Sequence, residues 1–117
     1  MSSETVLRGE IYWTDWNPAR GSEQAGIRPA LIVQTDAGNE NPRYPNTIVA
    51  AISTARGRVP SHVEIEPSAG NGLRALSCVK CQQLVTISKS RLTERIGELS
   101  AEDMLRVDGA LRQVLGL

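Results

Sequence analysis

A chain of 117 residues with 40% hydrophobic content carries enough apolar surface for one core, so a single domain over 1–117 is expected. Its 13 basic and 13 acidic side chains cancel, which excludes a global field that gathers nucleic acid without regard to sequence; any such contact must be local. No apolar run approaches the roughly 20 residues that span a bilayer, and residues 1–5 lack the basic and apolar regions of a secretory signal, so a soluble cytoplasmic protein without membrane contact is expected.

Residues 10–16 mix aromatic and β-branched side chains before Asn17-Pro18 breaks the run, which predicts a first strand with Ile11 and Trp13 on one face. Residues 17–27 read as a long loop. The apolar run 30–35 predicts a strand covered on both faces, and residues 36–46, with Gly38, Pro42 and Pro45, a turn-rich connection. In the next strand, 47–54, Ile48, Ala50 and Ile52 share one parity and Val49, Ala51 and Ser53 the other. If the isoleucines face the core, Ser53 points away from it and Thr54 inward, unless a bulge shifts the register.

Residues 55–60 form a basic loop, 62–66 a half-exposed strand and 67–76 a turn. The longest strand candidate is 77–87, where Val79, Cys81, Val85 and Ile87 align with Gln83 among them; a buried amide in that row needs partners. One helical turn over 88–92 and a short strand over 95–99 follow. Ser100 then opens a helix with Asp103 at capping-box spacing, and Met104, Val107, Leu111, Val114 and Leu115 form its apolar stripe. The pattern predicts a small, mostly antiparallel β barrel with a C-terminal helix.

Two segments carry chemistry. The loop 21–29 ends in Arg28, held by Pro29 just before an apolar strand, and the strand 47–54 ends in the hydroxyls of Ser53 and Thr54. A fixed guanidinium facing a hydroxyl marks a candidate phosphate site and points to chemistry on a phosphodiester. Arginine outnumbers lysine 11 to 2, which suits bidentate phosphate recognition and is equally what a GC-rich genome encodes. Cys78 and Cys81 form a CxxC, but a zinc site needs about four ligands and His62 is the only histidine. On a strand, a spacing of three sends the two thiols to opposite faces, so they are expected to be structural and no metal is expected.

Taken together, residues 8–13, 21–29, 49–52 and 60–64, Gln83 with Thr86-Ile87, and Ser90-Arg91-Leu92 resemble the MazF/PemK toxins in order and spacing over nearly the whole chain. The resemblance implies a mainly β, SH3-like barrel of the CcdB/PemK type with a C-terminal α-helix, in a homodimer. It implies metal-free, cofactor-free cleavage of single-stranded RNA at short sequences by 2′-hydroxyl attack. It also implies a cognate, MazE-like antitoxin whose C-terminal segment covers the active groove, the pair binding DNA as a complex.

On the same basis Arg28 matches the family's catalytic arginine, assigned phosphate stabilisation and proton transfer to the leaving oxygen. Ser53 stands where the family commonly has threonine and is the second phosphate-binding group, with Thr54 beside it. Glu23 and Gln24 either orient Arg28 and contact bases or are ordinary loop polars. Gln83 matches a retained family glutamine supporting the site, whereas the usual acidic residue at Gln82 and arginine at Val85 are missing. His62 is either a general base or a hydrogen-bonded structural histidine. Arg56 and Arg58 suit RNA phosphates or a solvated loop. Trp13 and Trp16 offer stacking surfaces, Trp13 being read as core. The rival reading is a non-catalytic CcdB-like toxin that binds a protein such as a topoisomerase.

Overall fold

Alternation along β-branched segments places successive side chains on opposite faces of a sheet, and here both faces find cover. The computed structural model describes residues 5–17, 26–55 and 59–117. In chain order these form β1 (Glu10–Asp15), β2 (Ile27–Ile32), α1 (Asp36–Glu40), β3 (Asn46–Thr54), β4 (His62–Ile65), β5 (Ser77–Ser88), a 3₁₀ turn (Lys89–Arg91), β6 (Leu92–Glu98) and α2 (Ala101–Leu115). One six-stranded antiparallel sheet results, in the order β4-β5-β3-β2-β1-β6.

One face buries Ile11, Leu31, Ala50, Ile52, Val63, Val79 and Cys81 against Val107 and Leu111 of α2. The other buries Val6, Trp16, Ala30, Ile32, Val49, Ala51 and Ile87. Ala30, Leu31 and Ile32 are all fully buried, as a doubly covered strand requires. At the head of α2 the Ser100 hydroxyl accepts the Asp103 N–H at 3.1 Å, and Gly116 ends the helix in the left-handed conformation. Arg8 ties the chain's N-terminal part to this helix through Asp108 at 2.8 Å.

Several boundaries differ from the sequence expectation. The turn-rich connection contains α1, and β2 begins at Ile27, so Arg28 and Pro29 lie in the strand and not in the loop before it. Leu115 is 54% exposed and falls outside the apolar stripe of α2. In β5 the pairing to β3 jumps from Ala50↔Leu84 to Ala51↔Lys80, leaving residues 81–83 as a bulge. That bulge reverses the parity: Val79 and Cys81 face the first core, Val85 and Ile87 the second, and Gln83 leaves the apolar row to sit half-buried.

The edge strands β4 and β6 do not pair among the described residues. The connection between β4 and β5 bridges them instead, the Glu98 N–H donating to the Gly70 carbonyl at 3.0 Å. Buried Asn71 braces that turn: its Oδ1 accepts from Ser68 and Leu73 N–H, and its Nδ2 donates to the Glu66 carbonyl at 2.9 Å. No helix among the described residues is long and apolar enough to cross a membrane.

Candidate active cleft

The ladder between β2 and β3 runs Ile32↔Val49, Leu31↔Ala50, Ala30↔Ala51 and then stops, although both strands continue. Pro29 has no N–H with which to extend it. The same register carried two residues further sets Arg28 opposite Ser53, on the face that bears Ala30 and Ala51. Where the strands part, a cleft of ≈ 770 Å³ opens. Arg28 stands on one wall, its main chain still paired to Thr14 of β1 and its carbonyl accepting the Trp16 indole N–H at 3.3 Å. Ser53 stands on the other wall, half-buried.

Next to Ser53 across the sheet comes Cys78, and His62 of β4, which pairs with Lys80, reaches that cysteine on the diagonal. The Ser53 Oγ lies 3.6 Å from Cys78 Sγ, and that sulfur lies 3.7 Å from His62 Nδ1. The Ser53 hydroxyl also donates a long bond of 3.4 Å to the Thr54 carbonyl. Thr54 lines the cleft from an exposed position, two residues past buried Ile52 at the end of β3.

The electrostatics of the cleft contrast with those of the whole chain. Arg28, Arg74 and Lys80 line it, and no carboxylate does among the described residues. In a chain of zero formal net charge, three cations facing one concavity give a local positive field suited to a polyanion. Burial, and secondarily Lys80, hold the His62 imidazole below its ordinary value of 6.5. His62 is therefore neutral at neutral pH.

Below 6.5 the unfolded chain binds a proton at this position more readily than the native one, so the native state loses stability as pH falls through that range. Melts of wild type and His62→Gln at pH values on either side of 6.5 check this: the difference between them is expected to shrink on acidification. A constant difference would contradict it.

Residues 1–4, 18–25 and 56–58 are outside the described part, so Glu23, Gln24, Arg56 and Arg58 are not placed. Arg28, Ser53, Thr54 and His62 meet at the cleft, and Gln83 is not among its lining residues. The tryptophans exchange the roles expected of them: Trp16 is buried in the core, while half-buried Trp13 lines the cleft. Sequence reasoning missed Arg74 and Lys80 as cleft residues. Lys80 carried a faint signal as one of only two lysines.

Cys78 and Cys81 are free thiols on opposite faces, Cys78 in the cleft wall and Cys81 in the core. Burial pushes the Cys81 thiol up to about 11, with Cys78 adding to the effect. No group of three or more His, Cys, Asp or Glu suited to a metal occurs among the described residues.

Residues 7–115 match the family model of the PemK-like, MazF-like toxin of type II toxin-antitoxin systems. The chain is 41% identical over 114 residues to the endoribonuclease MazF of Staphylococcus epidermidis, covering 96% of this chain and 92% of that protein. An endoribonuclease from a mycobacterial species, solved in complex with its cognate antitoxin, superposes with a TM-score of 0.79 at 28% identity over 96% of both chains. MazF of Deinococcus radiodurans shares the fold, with a TM-score of 0.81 at 24% identity over 98% of this chain and 100% of that one.

Proposed function

The chain belongs to the PemK-like, MazF-like toxins of type II toxin-antitoxin systems, and from that premise we propose that its cleft cuts single-stranded RNA by attack of the ribose 2′-hydroxyl on the neighbouring phosphate, without a metal. As a member of that family it is an endoribonuclease toxin. The observation that carries the mechanism is the parting of β2 and β3, which sets Arg28 and Ser53 on facing walls of a cleft lined by cations and free of carboxylates among the described residues.

The substrate supplies its own nucleophile, so the protein has to hold the phosphate, stabilise the charge that grows on its oxygens and protonate the leaving group. The 2′-hydroxyl gives its proton to water as its oxygen bonds to phosphorus, the bond to the 5′-oxygen breaks and that oxygen takes up a proton, and the products are a 2′,3′-cyclic phosphate and a 5′-hydroxyl. Arg28 grips the phosphate through its planar fork and passes a proton to the departing 5′-oxygen, which water restores. The Ser53 hydroxyl donates to a second phosphate oxygen. Lys80 and Arg74 attract the flanking phosphates, and Trp13 offers a face for a base.

The partners follow from the same reading: a second copy of the chain, and in the cytoplasm an antitoxin whose extended C-terminal segment takes the place of RNA in the cleft. The experiment is cleavage of a long single-stranded RNA in excess EDTA, beside an oligonucleotide with one 2′-deoxy sugar at the mapped cut. Cleavage of the first and sparing of the second are expected. Intact RNA in EDTA, or cutting at the deoxy position, would contradict the mechanism.

A further inference from the structure

Ser53 needs a fixed hydroxyl, yet a serine side chain has no branch of its own to hold χ1 and rotates among three staggered wells. What meets it is Cys78, its direct partner across the β3–β5 ladder, with Sγ 3.6 Å from Ser53 Oγ. Behind the thiol stands His62, with Nδ1 3.7 Å from the same sulfur. Cys78 is only 3% exposed, so the thiol is buried between two half-buried groups, Ser53 and His62, that both line the cleft.

We propose that Cys78 is a positioning residue for RNA cleavage: with its sulfur held by His62, the thiol donates its S–H to Ser53 Oγ, fixes that rotamer and leaves the serine hydrogen for a phosphate oxygen. The inference rests on the reading of the cleft given above. One direction of hydrogen bonding satisfies every group in the row. His62 in its Nδ1–H tautomer donates to sulfur, the thiol donates to Ser53 Oγ, and the serine donates to the Thr54 carbonyl. That last bond is long, at 3.4 Å, and is surrendered at little cost when a phosphate arrives.

A donor bonded to Oγ also polarises the hydroxyl and strengthens the bond it gives onward. The neutral state of His62 suits this role better than that of a cation competing for the phosphate. Cys81 serves as the internal contrast: it lies three residues on, fully buried in the opposite core, and its Sγ reaches only the Val79 carbonyl at 3.9 Å.

The test is single-turnover cleavage of a short RNA by Cys78→Ala and by Cys78→Val, each alone and with Ser53→Thr. Loss of one neutral hydrogen bond is expected to lower the rate constant about tenfold while leaving KM within about twofold. Because threonine fixes its own rotamer, Ser53→Thr is expected to raise the rate about fivefold more in the Cys78 variants than in wild type. Valine leaves no cavity and favours a strand, so it carries the comparison if the alanine variant does not fold. Wild-type rates in both Cys78 variants, or an equal gain from Ser53→Thr in every background, would overturn the proposal. Arg28→Ala run alongside separates the two ideas. If it cuts like wild type, the reading of the cleft itself fails; if it is inactive while the Cys78 variants are fully active, only the role of Cys78 fails.

Discussion

Arg28→Ala is expected to lower single-turnover RNA cleavage by about 10²–10³-fold, the usual loss when one preorganised donor to a developing oxyanion is removed. The fold should change little, because Arg28 is exposed at the end of the sheet and its main-chain pairing to Thr14 does not depend on the side chain. The Trp16 indole likewise bonds its carbonyl and not its side chain. An unchanged melting temperature within about 2 °C therefore accompanies the loss. Arg28→Lys is expected to recover only a small part of the rate, since a point charge cannot reproduce the two parallel N–H donors of guanidinium. Wild-type cleavage by Arg28→Ala, with the fold intact, would remove the centre of the mechanism.

Gly97→Ala is expected to destabilise the protein by about 3 kcal/mol or more, among the larger effects a single methyl can have. A Cβ at this point of β6 would lie 2.6 Å from the Asn71 carbonyl carbon and nearer still to the Gly70 carbonyl oxygen. Those atoms are backbone, so no rotamer relieves the clash. Either the turn moves, breaking the Glu98 N–H bond to Gly70 and the bonds of Asn71, or β6 leaves β1. The same turn carries Gly72, Leu73 and Arg74 into the cleft, so the surviving folded protein should also cut RNA more slowly.

Gly109→Ala supplies the control. Nothing lies within 4 Å of a Cβ there, in the interior of α2, and the change is expected to stabilise by about 0.5–1 kcal/mol. Urea melts of the two variants should move in opposite directions. A Gly97→Ala protein as stable as wild type would mean that the strand edges are not held together as described.

The strands were legible because their β-branched and aromatic runs are bounded by glycine, proline and asparagine, and α2 because Ser100 and Asp103 announce its start. The short α1 was not, since Gly38 and the asparagines that surround it read equally as a turn. The reversal of faces within β5 arises from its pairing with β3, and no period along one strand records its partner's register.

The cleft divides in the same way. Arg28 and Ser53 were visible from local chemistry and from the resemblance to a family, as ends of neighbouring strands. Arg74 reaches the cleft through the turn that bridges the sheet edges, and Lys80 through the pairing of β5 with β3 and β4; both are tertiary events. The spacing argument that set Cys78 and Cys81 on opposite faces was sound, yet it said nothing of the serine and histidine that Cys78 would meet. Trp13 and Trp16 were exchanged because parity alone does not tell where a strand passes beyond its core.

In the proposed mechanism the substrate's own 2′-hydroxyl cuts the RNA, in a cleft where the protein holds charge and moves protons. Mapping the ends produced from a single-stranded RNA in excess EDTA tests it most directly. A 2′,3′-cyclic phosphate on one fragment and a 5′-hydroxyl on the other are expected. A 5′-phosphate with a 3′-hydroxyl would show that water, not the ribose, made the attack.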